Sequence, residues 1–112
     1  MKMLDTNTEQ YNDVDLNGNP TGGHVTGTGL SIQWQNGPLG RDAERQVPNG
    51  AFVETVIQAA RQRIEFYQTA SNGKFACEEN ASALTCLDDA LKVLDSRTKK
   101  REARQVEGTH TA

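Results

Sequence analysis

One periodic series constrains this chain more than anything else in it. Leu84, Leu87, Leu91 and Leu94 recur at three and four residues, and Arg97, Arg101 and Arg104 carry the spacing onward with no proline or glycine between them. An α-helix needs that spacing to hold side chains within one half of its circumference. A packing stripe therefore turns into a cationic one along a helix expected from about Cys77 or Asn80 to Arg104. Guanidinium groups so placed can converge on one multiply charged anion, each offering a planar fork of donors that lysine lacks. The same spacing equally describes a solvated, basic helix end.

A first helix precedes it. Phe52, Val53, Val56, Ile57, Ala60, Ile64 and Tyr67 keep helical spacing, Asn49 offers an N-cap with Glu54 in the first turns, and Ser71-Asn72-Gly73 stops the helix near Thr69, after about twenty residues. The short link through Lys74-Phe75 makes the two helices antiparallel neighbours. Ala59, Ala60, Ala83, Ala90 and the leucines then leave more apolar surface than a lone hairpin and one thin sheet would cover, which predicts partner subunits. Ahead of the helices, Leu30, Ile32 and Trp34 alternate on one face of a strand within His24 to Gln35, with room for a hairpin to its predecessor. Arg41 to Gln46 reads as a charged loop. The expected fold is α+β: a small N-terminal antiparallel sheet followed by a long antiparallel two-helix hairpin. The expected organisation is a loose polar arm (1–22), a strand region with its loop (23–48), the hairpin (49–104) and a tail (105–112), one domain overall.

Charge narrows the partner. The 112 residues carry a formal net charge of -3, which argues against a nucleic-acid polymer, since long phosphate backbones reward a broadly basic surface. Residues 92 to 104 nevertheless hold Lys92, Arg97, Lys99, Lys100, Arg101 and Arg104 against Asp95 and Glu102, a pattern suited to a small anion. Cys77 and Cys86 fall on opposite sides of a continuous helix, cannot pair within it, and make no zinc spacing with the two distant histidines. Thiols in a cytoplasmic protein are the expectation, because the Met-Lys-Met-Leu-Asp start lacks the apolar run of a signal peptide and no stretch reaches membrane-spanning length.

No catalytic constellation, metal site or cofactor motif stands out. The glycines of Gly22 to Gly29 precede no helix at phosphate-binding spacing and read as hairpin residues. Asn80 shares a helical face with Leu84 and Leu94 and could contact a base or ribose, or cap the helix. It is seventeen residues from Arg97, ~25 Å along one helix, too far for both to touch one nucleotide-sized ligand within a chain. An antiparallel dimer removes the difficulty by bringing the Asn80 end of one subunit to the Arg97 end of the other. Phe75 at the hairpin turn could stack on a base or plug a core, and Trp34 carries the same two readings. Tyr67 is expected to pack on the apolar stripe with its hydroxyl at the rim.

Several segments together resemble a known family. They are Gly29-Leu30-Ser31-Ile32-Gln33-Trp34-Gln35-Asn36-Gly37-Pro38-Leu39-Gly40-Arg41, Asn49-Gly50-Ala51-Phe52-Val53-Glu54, Asn80 to Leu91, Arg97-Thr98 through Arg101 and Arg104, and Val106-Glu107-Gly108-Thr109. Over roughly residues 23 to 110 the chain is similar to the first family of phage anti-Thoeris proteins, which shares a helix-hairpin domain with a phage anti-CBASS sponge. The resemblance implies a non-enzymatic sponge that binds cyclic ADP-ribose isomers made by bacterial TIR proteins, and in some relatives CBASS cyclic oligonucleotides, and releases them unaltered. It implies a pocket between the subunits of a homodimer, dimers assembled into a homohexamer, and ligand contacts at Arg97, Arg101 and Asn80, with Arg45 first and Arg41 second as the loop arginine. Glu78 and Cys86 stand where the family would lead one to expect an arginine and a lysine, which leaves a second, cyclic-oligonucleotide site open. Rival readings of the same chain are a small nucleic-acid-binding regulator using the basic helix end, and a phage structural or interaction module.

Overall fold

The computed structural model describes residues 6–112. The chain divides into two compact units, Met1–Phe52 together with Val106–Ala112, and Val53–Gln105. The first unit is built on an antiparallel sheet of β1 (Thr8–Val14), β2 (Pro20–Gly27) and β3 (Leu30–Gln33), in that order. Val25 pairs with Ile32, and with Trp34 two residues further on they share one face of the pleat, as the alternation predicts.

β1 departs from the expected loose arm. It has no apolar alternation, and all its residues are exposed, so what forms it is the backbone ladder to β2. Gly23 permits that ladder: its φ is +135°, and a Cβ there would collide with the Tyr11 carbonyl oxygen. Across the ladder the Tyr11 ring stacks on its partner His24, 5.6 Å between centroids and 15° between planes. The connecting loop is tied by Asp15, whose Oδ1 accepts the backbone N–H groups of Asn17 (2.8 Å) and Asn19 (3.0 Å). Those bonds, the one from Asn19 foremost, hold the Asp15 carboxyl below its ordinary value of 3.8. Residues 1–5 of the expected arm lie outside the described residues.

Asn49 is not a helix cap. Its Oδ1 accepts the Asn36 backbone N–H at 2.8 Å while its own N–H donates to Gln35 Oε1 at 2.8 Å, a reciprocal pairing that fastens two loop segments together. Beside it the chain past β3 pairs in parallel with the segment before the helix, through Gln35 N to Ala51 O (3.0 Å) and Ala51 N to Gln33 O (2.8 Å). The sheet therefore uses the residues that sequence spacing assigns to a helix start.

The second unit is the helix hairpin of α1 (Val53–Gly73) and α2 (Glu78–Ala103). Right-handed helix in α1 ends after Thr69, where the sequence places the stop: Ala70 is extended, and Ser71 and Asn72 have φ of 51° and 58°. α2 is capped by Cys77, whose Sγ accepts the Asn80 backbone N–H at 3.4 Å. That assigns the cap to the cysteine and removes it from Asn80. Gln68 closes the turn end, donating to the Cys77 carbonyl (3.2 Å) and accepting its N–H (2.9 Å). Arg61 fixes the middle, with Nε 2.5 Å from Asp88 and Nη1 2.8 Å from Glu65. The hydrogen bond to Asp88 is the main cause that raises the Arg61 pKa.

The hairpin seam consists of Ile57, Arg61, Ile64 and Gln68 on α1 and Leu84, Leu87, Leu91 and Leu94 on α2, all half-buried. No described residue in either unit is fully buried, while Val53, Phe66, Tyr67, Phe75 and Val93 are exposed. Two helices packed along one seam give hydrophobic side chains only one covered side, so half-burial is the limit for this element alone. Among the described residues, no helix is long and apolar enough to cross a membrane.

Candidate functional site

The pairings Gln68 to Cys77 and Arg61 to Asp88 set the helix register. Arg97, Lys99, Lys100, Arg101 and the C-cap Arg104 sit at the C-terminal end of α2. It is the segment in which the leucine stripe becomes cationic.

The predicted arginines do not all sit alike. Arg101 is half-buried and continues the seam after Leu94 and Thr98. Arg97 and Arg104 are exposed and extend an adjoining stripe at seven-residue steps from Ala83 and Ala90. Neither Arg97 nor Arg104 makes a side-chain hydrogen bond or ion pair among the described residues, whereas Lys99 is held by Asp95 at 3.0 Å. Two guanidinium groups thus project from the helix end with their donors uncommitted. A shallow depression of about 460 Å³ opens on another flank of the same helix, lined by Lys92, Asp95, Ser96, Lys99, Lys100 and Ala103; none of the predicted ligand arginines lines it.

Asn80 stands at the other end of the seam. It is half-buried, and its carboxamide makes no hydrogen bond among the described residues. With α2 continuous between them, Asn80 and Arg97 are held ~25 Å apart, so the chain itself does not bring them together. Phe75 does not plug a core: it is exposed at the hairpin turn with the Lys74 ammonium 5.4 Å from its ring centroid. Tyr67 likewise faces away from the seam, its hydroxyl accepting from Arg63 Nε at 3.1 Å. Arg63 lies over both Phe66 (5.2 Å) and Tyr67 (5.0 Å), an exposed cation and aromatic cluster whose three- and four-residue spacing is readable in sequence.

The loop arginines belong to the sheet unit and both are engaged. Arg45 Nη1 forms an ion pair with Glu107 at 2.6 Å, and Arg41 Nη1 donates to the Glu107 carbonyl at 3.0 Å. Trp34 is half-buried beside this region's strand pairing. Sequence reasoning missed two members of these arrangements. Thr98 was recoverable, because it fills the step between Leu94 and Arg101; Glu107 was not, because nothing local links it to an arginine sixty-two residues away.

No family model matches the chain. Over 80 residues, 71% of this chain, it is 39% identical to Thoeris anti-defense 1 from Bacillus phage SBSphiJ7. Those residues cover 51% of that relative, so the chain spans about half the length of the curated protein it matches.

Proposed function

Through these 80 residues the chain belongs to the anti-Thoeris family, and from that premise we propose that it acts as a phage anti-Thoeris sponge. It binds the cyclic ADP-ribose signals of TIR proteins tightly enough to withhold them from their effector, and returns them chemically unchanged. Sequestration of this kind needs affinity and copy number rather than catalysis. It takes place in the cytoplasm of the infected host cell.

The observation that carries the reading is the C-terminal end of α2, where Arg97 and Arg104 make no side-chain hydrogen bond or ion pair among the described residues and stand beside the seam residue Arg101. Arg97 and Arg101 grip the ligand phosphates by charge-assisted hydrogen bonds, with Arg104 adding positive potential. Asn80 reads the base or ribose, and exposed Phe75 supplies a stacking surface, the role for which Trp34 is the alternative. Arg45, and after it Arg41, are the anion-recognising side chains of the sheet unit.

Asn80 and Arg97 meet only if the pocket is made by two subunits, with the helix of one antiparallel to that of its neighbour. The absence of any fully buried residue among the described residues of the hairpin supports such an assembly, since a two-helix unit gains most of its stability from tertiary packing. Homodimers assembled into a hexamer complete the proposed form. Cyclic oligonucleotides are a second ligand class to test, with Glu78 and Cys86 each removing a positive charge from that possibility.

Native mass spectrometry with cyclic ADP-ribose isomers and cyclic di- and trinucleotides tests this, followed by heat release and chromatography. Retention of a cyclic ADP-ribose on the oligomer and its recovery at unaltered mass is the expected result. Recovery of a chemically changed product would make the protein an enzyme, and no retention would favour a structural module.

A further inference from the structure

Glu107 lies in a turn, Val106 to Thr109, closed by the Thr109 N–H (3.1 Å) and Oγ1 (2.5 Å) on the Val106 carbonyl. Backbone contacts fasten this turn to the loop before the helices. Gly40 N donates to Gly108 O at 2.8 Å, and Arg41 Nη1 donates to Glu107 O at 3.0 Å. Gly108, at φ +79°, sits so close that a Cβ would strike the Gly40 carbonyl oxygen and come within 2.9 Å of Arg45 Nη1. The Glu107 side chain acts apart from these contacts. Its carboxylate takes Arg45 Nη1 at 2.6 Å, which also donates to Gly40 O at 3.3 Å. The turn contacts of Gly40 and Arg41 run through backbone carbonyls and do not use the carboxylate.

A guanidinium holding a carboxylate has the donor geometry that holds a phosphate oxygen. The pair is also readily broken, with side chains 41% and 23% exposed, a setting in which an ion pair shifts an equilibrium by up to about fivefold. We propose that Glu107 is the resident occupant of an anion slot at Arg45, and that a phosphate or pyrophosphate oxygen of the ligand displaces it. The glutamate side chain rotates out while the turn stays docked, and Glu107 thereby sets the affinity of the slot. That the incoming phosphate belongs to a cyclic nucleotide rests on the function proposed above; the slot itself rests on the Arg45 and Glu107 geometry.

Inorganic pyrophosphate is the first probe, followed through the Arg45 Nε–H resonance of the full chain, and cyclic ADP-ribose the second. Pyrophosphate is expected to move that resonance, and Glu107→Gln, which keeps the turn's backbone contacts, to titrate at lower concentration by up to about fivefold. Glu107→Asp, with the charge kept and the reach shortened, should lie between, and the gain should vanish in an Arg45→Ala background. Equal or weaker binding by Glu107→Gln, or an Arg45 resonance that ignores pyrophosphate, overturns the proposal. A pyrophosphate response without cyclic ADP-ribose capture leaves the slot standing and removes the nucleotide reading.

Discussion

Arg97 has no side-chain partner to lose among the described residues, which separates its part in binding from its part in folding. Arg97→Ala should change stability by less than about 0.5 kcal/mol and weaken ligand binding by roughly 10- to 100-fold, the worth of a charge-assisted hydrogen bond; calorimetry and thermal unfolding on the same preparation read both. Asp15 makes the opposite kind of contribution. Its carboxyl is held below 3.8 by the Asn19 and Asn17 amides, so the stability it gives is present above that value and is lost as pH falls through the lower folded-state pKa. Amide exchange in β1 and β2 should accelerate over that acid range, and Asp15→Asn should flatten the dependence. Arginine positions on α2 were legible because helical spacing is local. The Arg45 pairing was not, because chain topology rather than spacing brings Glu107 to it.

At the scale of elements, the hairpin rests on a register that two polar pairings specify. Asp88→Asn should lower the melting temperature by no more than a few degrees, since the Arg61 and Asp88 side chains are 26% and 40% exposed and solvent screens the pair. A larger loss would mean that the pair holds the helices together instead of aligning them. The helices were readable in advance because their stops and apolar steps are encoded within each segment. β1 was not, because its polar residues offer no alternation and its pairing depends on a glycine, Gly23, in the facing strand. Gly23→Ala should therefore free β1 from β2, seen as loss of amide protection across residues 8–14, while the α1 and α2 amides stay protected. Asn49 misled for a related reason: a residue suited to capping is equally suited to bonding loop amides, and only the tertiary partners Gln35 and Asn36 decide.

For the whole molecule, the central claim is that binding residues at opposite ends of one helix serve a single ligand across a subunit boundary. Among the described residues neither the Asn80 carboxamide at one end nor the Arg97 guanidinium at the other makes a side-chain hydrogen bond or ion pair. Subunit mixing tests this most directly. Asn80→Ala and Arg97→Ala chains are prepared separately, ligand is set at a level that neither variant retains, and the two are mixed under conditions of subunit exchange. In a heterodimer one pocket collects both substitutions and the other neither, so random exchange should restore about one quarter of wild-type ligand capacity. Capacity that stays at zero after verified exchange would show that no pocket draws Asn80 and Arg97 from different chains, and would contradict the account.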